Sequence, residues 1–396
     1  LVFYALLLKV ATLSIGLYHK DMINLILHNP TKIIFGVGVL SQLATEASKI
    51  GKHPLVMYGK SSAKTSGLSD KVKSMLSSSG LKVTEFFGVE PNPRDDTCDR
   101  AASLGRQAGC DAVIAVGGGS VMDAAKLTSA CIVSGKPTWD YVTRVYPVEK
   151  ALPIIMVPTL AATGSDFNSG AVITNWTMKQ KFGAYSPLFF PTVSIIDPVL
   201  TTTCNRNVTA WGGVDIMIHV LETYLGTNDA HCPIPDYFSE GIVKTVMKYL
   251  PLALADGNDI VARTQLSWAS AVALSECQNG GRPGGFLLHW MEHVMSAHFD
   301  IPHGLGLAYL LVPTLSYFKE NFPERHYMFT NNLMPDPAGF LESIGCDTTL
   351  EKLGIPGSSV PTMVDDLFVQ KGKGDEMPGY PSFDKKWAEK IYKGRF

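Results

Sequence analysis

The chain has 396 residues, 46% hydrophobic and 18% charged, and its 36 Gly and 24 Pro fall well short of a low-complexity or collagen-like composition. Lys and Arg number 34 against 36 Asp and Glu, without a basic block, which excludes an electrostatic footprint for nucleic acid and fits a near-neutral enzyme of two or three domains. The 7 cysteines are scattered with no C-x-x-C pair, so a disulfide framework and a zinc ribbon are excluded and reduced thiols in the cytoplasm are expected.

The first segment, LVFYALLLKVATLSIGLY, is apolar but interrupted by Lys9 and softened by Thr12, Ser14 and Gly16. It lacks both the uninterrupted apolar length of a spanning helix and the basic start and small-residue cleavage site of a secretory signal. Met22 then opens INLILHNPTKIIFGVG, which reads as a start leading into a first strand. Residues 1–21 are therefore read as a non-native leader or apolar extension, with an anchor or signal as the alternative, and no membrane partner is expected.

From Thr31 to Asp197 β-rich runs alternate with helical ones, the pattern of an α/β protein with a parallel sheet. IIFGVG, HPLVMYG, KVTEFFGV, DAVIAVGGG, PIIMVPT and TVSIIDP are the candidate strands. SQLATEASKI, SDKVKSMLSSSG, DDTCDRAASLGRQAG and SVMDAAKLTSACIV are the candidate helices between them, the third opening on Asp95, Asp96 and Thr97 as side-chain caps. After Asp197-Pro198 the β-branched runs stop and long amphipathic stretches take over. The division is an α/β domain over 22–198 and an all-helical domain over 199–396.

Within the first domain, DAVIAVGGGSVMDAAKLTSA runs from a buried strand through Gly117, Gly118, Gly119 and Ser120 directly into a helix. Glycines let the backbone approach a ligand closely, and the first amides of a helix favour an anion, so a pyrophosphate is the expected guest; a ligand-free turn is the plainer alternative. Gly36-Val37-Gly38 offers a weaker version, with Ser41 where the fingerprint needs a third glycine and no acidic residue following at the required distance. PTLAATGSDFNSGAVI adds a polar turn after another buried strand, with Thr159, Thr163, Ser165, Asp166 and Asn168 as donors or acceptors for the ribose and nicotinamide side of a dinucleotide.

In the second domain, Asp215 and His219 stand four apart in GGVDIMIHVLETYL, and His289 and His293 repeat the spacing in LLHWMEHVMSAHFDIPHGLGLAYL. Such pairs leave one helix face together. Half of the 10 histidines fall in these two apolar segments and the following Pro302-His303-Gly304 turn. One carboxylate with several imidazoles suits Fe(II) or Zn(II) and serves Mg or Ca poorly.

GGGSVMDAAK, PTLAATGSD, GGVDIMIHVLETY and HWMEHVMSAHFDIPHGLGLA together resemble the iron-containing alcohol dehydrogenase family, in its butanol-dehydrogenase-like branch, over residues 22 to 318. The resemblance implies a Rossmann-like α/β dinucleotide-binding domain, an all-α carboxy-terminal metal-binding domain, a metal in the cleft between them and a homodimer. It implies Asp215, His219, His289 and His303 as metal ligands and His293 as the histidine that assists proton transfer. Gly118, Gly119, Ser120 and Asp123 correspond to pyrophosphate-side positions, and Thr159, Thr163, Asn168 and Lys181 to further cofactor positions. The stretch after the second strand, Met57-Tyr58-Gly59-Lys60-Ser61-Ser62, holds no acid where the family's NAD users carry Asp, so Gly59 and Ser61 are expected to accept NADP(H) in preference to NAD(H).

The function implied is a metal-dependent alcohol dehydrogenase or aldehyde reductase that transfers hydride between NADP(H) and a small alcohol or aldehyde such as butanol or butanal. Fe(II) is the expected ion, Zn(II) its alternative, and Phe286, Trp290 and Phe299 are candidates to line an apolar pocket. A non-redox metal and NAD enzyme on the same scaffold, or an inactive binding relative, remain open. The sequence departs from the family in Gly285-Phe286, where Asp-Trp is usual, in Pro283, and in a shorter stretch from Tyr317 to Gly354, for which reduced stability is expected.

Overall fold

The computed structural model describes residues 26–226, 233–279, 285–372, 376–377 and 383–394; the expectations for residues 1–21 and for Pro283 lie outside them. Six strands form one parallel sheet: β1 (Lys32–Phe35), β2 (Pro54–Gly59), β3 (Thr84–Val89), β4 (Ala112–Gly117), β5 (Ile154–Pro158) and β8 (Val193–Ile196), in the order β1-β8-β5-β4-β2-β3. These are the six runs read as strands from the sequence. An antiparallel hairpin of β6 (Gly170–Asn175) and β7 (Gln180–Tyr185) was not anticipated.

The central strands are buried on both faces, which is why they appear as continuous apolar runs. Side chains alternate between two cores. Leu55, Met57, Val113, Ala115 and Met156 pack with helices α3 (Asp95–Ala108) and α4 (Gly119–Ser134) on one face. Val56, Tyr58, Ile114, Val116 and Val157 pack with α1 (Leu43–Ile50) and α2 (Leu68–Ser78) on the other. Small residues set the spacing: a Cβ on Gly105 of α3 would lie 2.6 Å from Ile132 Cδ1 of α4. The opening of α3 differs from expectation. No side chain caps it: Asp95 is taken up by Asn175, Thr97 by Glu90, and Glu90 accepts from the Arg94 amide at 3.1 Å.

β2 leads outward to β3 while β4 leads back towards β5, so the strand order reverses between the neighbours β2 and β4. A crevice opens at the carboxyl ends of the strands at such a reversal, and the glycine turn stands there.

Beyond the turn Pro198–Thr203 the described chain is helical. The principal helices are α5 (Arg206–Leu225), α6 (Pro233–Ala255), α7 (Ile260–Ala273), α8 (Leu287–Phe299), α9 (His303–Asn321), α10 (Val360–Lys371) and α11 (Lys385–Lys393). Helix α5 is buried along nearly its whole length and forms the centre of the bundle. Between Tyr317 and Gly354, short helices at Pro323–Asn332 and Pro337–Ser343 bury Phe329 and Leu341 in the same core. Helix α11 buries Ile391 and Tyr392, and the Tyr392 hydroxyl donates to the Met291 carbonyl at 2.9 Å, closing the bundle behind α8.

Candidate active site between the two halves

Strand pairing brings several of the predicted cofactor residues side by side. β4 and β5 are neighbours, and the Thr159 amide donates to the Gly117 carbonyl at 3.0 Å where the two turns begin. Gly119 starts α4 beneath the second turn, and a Cβ there would sit 2.3 Å from Thr163 Cγ2 and 2.6 Å from its Oγ1. Glycine is therefore obligatory for this contact. No side chain caps α4, the condition in which amides at a helix start are open to an anion. Ser120 is half-buried on the first turn, and Gly59 and Ser61 lie across the strand reversal at the end of β2.

Asp123, Asn168 and Lys181 face protein groups. Asp123 accepts from Ser165 Oγ at 2.6 Å and from the Val172 amide at 2.8 Å; burial raises its pKa, with Lys126 opposing. Asn168 donates to the Gly164 carbonyl at 2.9 Å and accepts from the Gly170 amide at 2.9 Å and from Lys126 at 3.1 Å. The ammonium of Lys126, fully buried, also donates to the carbonyls of Asn168 at 2.9 Å and Gly170 at 2.6 Å. Burial lowers its pKa to about 8 against the opposing charges of Asp123 and Asp166. Lys126 thus ties α4 to the polar turn and the hairpin, a role that its place in a helical run did not disclose. Lys181 points from β7 towards the helical half, where it meets Glu292 at 3.3 Å.

The helical half begins against this turn. A Cβ on Gly212 of α5 would lie 2.4 Å from the Ala161 carbonyl oxygen, and Ser270 Oγ of α7 accepts from the Ala162 amide at 2.8 Å. Asp215, one turn after Gly212, therefore lies just past the cofactor turn.

Around Asp215 the four predicted ligands converge. Its Oδ1 is 3.6 Å from His219 Nε2, 3.6 Å from His289 Nε2 and 3.7 Å from His303 Nε2. Those separations are too long for hydrogen bonds. Asp215 Oδ1 and His289 Nε2 are buried without a hydrogen-bond partner. Ligand atoms facing one another across a shared gap, one oxygen and three imidazole nitrogens, are a donor set that fits a divalent transition ion. Burial, aided by His289 and His303 and opposed by Asp215, holds His219 down to about 3, in the neutral form that ligates.

Two carboxylates not singled out in the sequence orient this set. Glu222 accepts from Nδ1 of His289 and from the amides of Leu288 and His289, and Glu292 accepts from Nδ1 of His303 and from Ser296 Oγ. Each fixes the tautomer that turns Nε2 towards Asp215. Burial would raise Glu292, but His303 and Lys181 outweigh it and bring it down to about 2. Their signal was available: a carboxylate in an otherwise apolar helical run needs a partner.

His293 is buried one turn beyond His289, its ring 6.3 Å from that of His289 and 5.8 Å from that of His303. Burial and the charge of Lys181 keep it well below the usual imidazole range. Of the aromatic candidates, Phe286 meets His289 edge-on at 5.7 Å, while Trp290 and Phe299 pack against the helical core.

Comparison with known proteins agrees with this geometry. The model of the iron-containing alcohol dehydrogenases matches residues 30–198, and the carboxy-terminal model of the Fe-containing alcohol dehydrogenase family matches residues 209–393. The chain is 40% identical over 304 residues to a probable NADH-dependent butanol dehydrogenase of Bacillus subtilis, covering 77% of this chain and 78% of that one. It is 32% identical over 365 residues to the NADPH-dependent aldehyde reductase YqhD of Escherichia coli, covering 87% and 93%. A crystal structure of an NADH-dependent butanol dehydrogenase A from Thermotoga maritima superposes with a TM-score of 0.89 at 32% identity, over 94% of this chain and 98% of that chain.

Proposed function

The chain belongs to the iron-containing alcohol dehydrogenase family, in its butanol-dehydrogenase-like branch, and on that premise we propose that it reduces small aldehydes such as butanal, and oxidises the corresponding alcohols, with NADP(H) as cofactor. The observation that carries this reading is the convergence of Asp215, His219, His289 and His303 one helical turn beyond the loop that covers the glycine turn.

Those four residues would hold Fe(II), with Zn(II) as the alternative, and Gly118, Gly119, Ser120, Thr159 and Thr163 would hold the dinucleotide. When bound, the ion polarises the substrate oxygen and the nicotinamide supplies or receives the hydride. The protein supplies the rest. Glu222 and Glu292 would keep two imidazoles aimed at the ion, and the amides at the start of α4 would hold the pyrophosphate. His293, buried near the imidazoles of His289 and His303, would take a proton at a ring nitrogen in alcohol oxidation and return it in aldehyde reduction.

For the cofactor, no carboxylate stands between Met57 and Lys64 to repel a 2′-phosphate. The relatives' names divide, NADH for the Bacillus and Thermotoga proteins and NADPH for the Escherichia one. A homodimer is proposed from the edge position of β1, beside which Phe35 meets the 45% exposed Trp268 at 5.1 Å. A cytoplasmic setting is proposed from the free cysteines, four of them buried. Among the described residues no helix is long and apolar enough to cross a membrane.

The test is metal content by mass spectrometry paired with NADPH and NADH oxidation in the presence of butanal after Fe(II) or Zn(II) reconstitution. About one metal per chain and faster NADPH turnover are expected. Bound metal with neither cofactor consumed, across several aldehydes, would overturn the dehydrogenase reading.

A further inference from the structure

His303 enters the metal cage at the end of a very short connection. Helix α8 stops at Asp300, whose φ of 53° reverses the chain in the left-handed region, and only Ile301 and Pro302 separate it from His303. Proline's ring restricts that link further. A displacement of Asp300 or Ile301 is therefore passed on to His303.

The connection is gripped from the nucleotide-binding half. Asn92, in the turn after β3, is buried with a φ of 51°. Its side-chain amide donates to Asp300 Oδ1 at 3.1 Å and to the Ile301 carbonyl at 3.1 Å, while its amide oxygen accepts from Lys181 Nζ at 2.9 Å. Lys181 in turn donates to Glu292 Oε2 at 3.3 Å, and Glu292 accepts from Nδ1 of His303. Arg94 adds an outer clamp, 2.9 Å from Asp300 Oδ2 with its guanidinium 4.3 Å from the Trp176 ring; being partly exposed, it contributes less. His303 is thus fixed twice across the domain junction, once through its backbone turn and once through its imidazole.

We propose that Asn92 and Lys181 are positioning residues for the metal ligand His303, so that the metal centre is complete only while the nucleotide-binding half is docked against the helical half. This rests on the metal reading given above. A left-handed turn alone would be met by glycine, whereas the buried Asn92 amide bonds in three directions. Loss of Lys181 would leave the Glu292 carboxylate buried without its cation, a costly arrangement that the pair His303 and Glu292 would relax by moving.

The experiment is Co(II) titration of the full chain after removal of metal by a chelator, read by visible absorption. Asn92→Gly keeps the turn and removes the amide; it should weaken Co(II) binding about tenfold and change the band intensities, with Lys181→Met acting in the same direction. In a His303→Ala background the added effect of Asn92→Gly should shrink to about twofold or less, because its route to the metal is gone. Wild-type affinity in Asn92→Gly, or an undiminished effect in the His303→Ala background, would overturn the inference. A wild-type chain that takes up no Co(II) removes the metal reading and the inference together, a distinct result. Should Asn92→Gly lack the wild-type far-ultraviolet circular dichroism, Lys181→Met decides by the same titration.

Discussion

The two halves of the molecule build their sites by opposite means. At the glycine turn the groups proposed to recognise the dinucleotide are backbone amides, and a side chain is absent at Gly119 so that Thr163 can sit against it. At the proposed metal cage the backbone recedes into two packed helices and the turn after them, and the recognising groups are four side chains, three buried and His303 half-buried. A site of the first kind is broken by adding atoms and one of the second kind by taking them away.

Substitutions can sharpen that contrast. The largest effect is expected from Asp215→Asn, which keeps the shape of the cage and removes its only anion. Metal should be lost and turnover should fall about a thousandfold or more, corresponding to several kcal/mol of transition-state stabilisation, while NADPH binding measured by fluorescence persists. Gly119→Ala is the converse test. Its methyl would meet Thr163 at 2.3 Å, so NADPH binding should weaken by about tenfold to a hundredfold, about 1 to 3 kcal/mol, with metal content by mass spectrometry unchanged. If Gly119→Ala emptied the metal site as well, the two sites would not be separable in the way drawn here. Glu222→Gln removes charge without shape from the partner of His289, and metal affinity by chelator competition should drop about tenfold.

The smallest effect concerns stability alone. Lys126 has a folded pKa of about 8 against 10.5 when unfolded, so between those values the unfolded chain binds more protons and stability rises with pH. Urea unfolding near pH 7.5 and near pH 9 should show the wild type gaining about 1 kcal/mol relative to Lys126→Met, which has no such proton to lose. An equal response of both proteins would place the charge of Lys126 in solvent.

What could be read from the sequence follows from how local each signal is. The six sheet strands were legible because burial on both faces makes each a continuous apolar run. The β6–β7 hairpin was not, because both strands are only partly buried and β7, with Gln180, Lys181 and Gly183, has no β-branched residue to mark it as the partner of β6. Spacing of four within a helix exposed the pairs Asp215 with His219 and His289 with His293, and the clustering of half the histidines in these segments and the turn after them joined the pairs into one metal site. Glu222, Glu292 and Asn92 escaped notice since their partners lie on other elements or across the domain junction; Asn92 reaches Asp300 over 208 positions of sequence. Lys181 drew attention as a cofactor residue through resemblance, and only its three-dimensional neighbours reveal the link to His303.

One close approach has a consequence for which ions can be admitted. A Cβ on Gly304 would fall 2.1 Å from the Trp211 carbonyl oxygen, so the main chains of α5 and α9 touch directly beside the residues that supply Asp215 and His303. With no side chain between them to compress or rearrange, the span from one ligand to the other is set by two peptide backbones. Such a cage discriminates by stiffness. A larger cation such as Ca(II), which needs longer bonds and more oxygen donors than this cage offers, would have to pry two helices apart to enter.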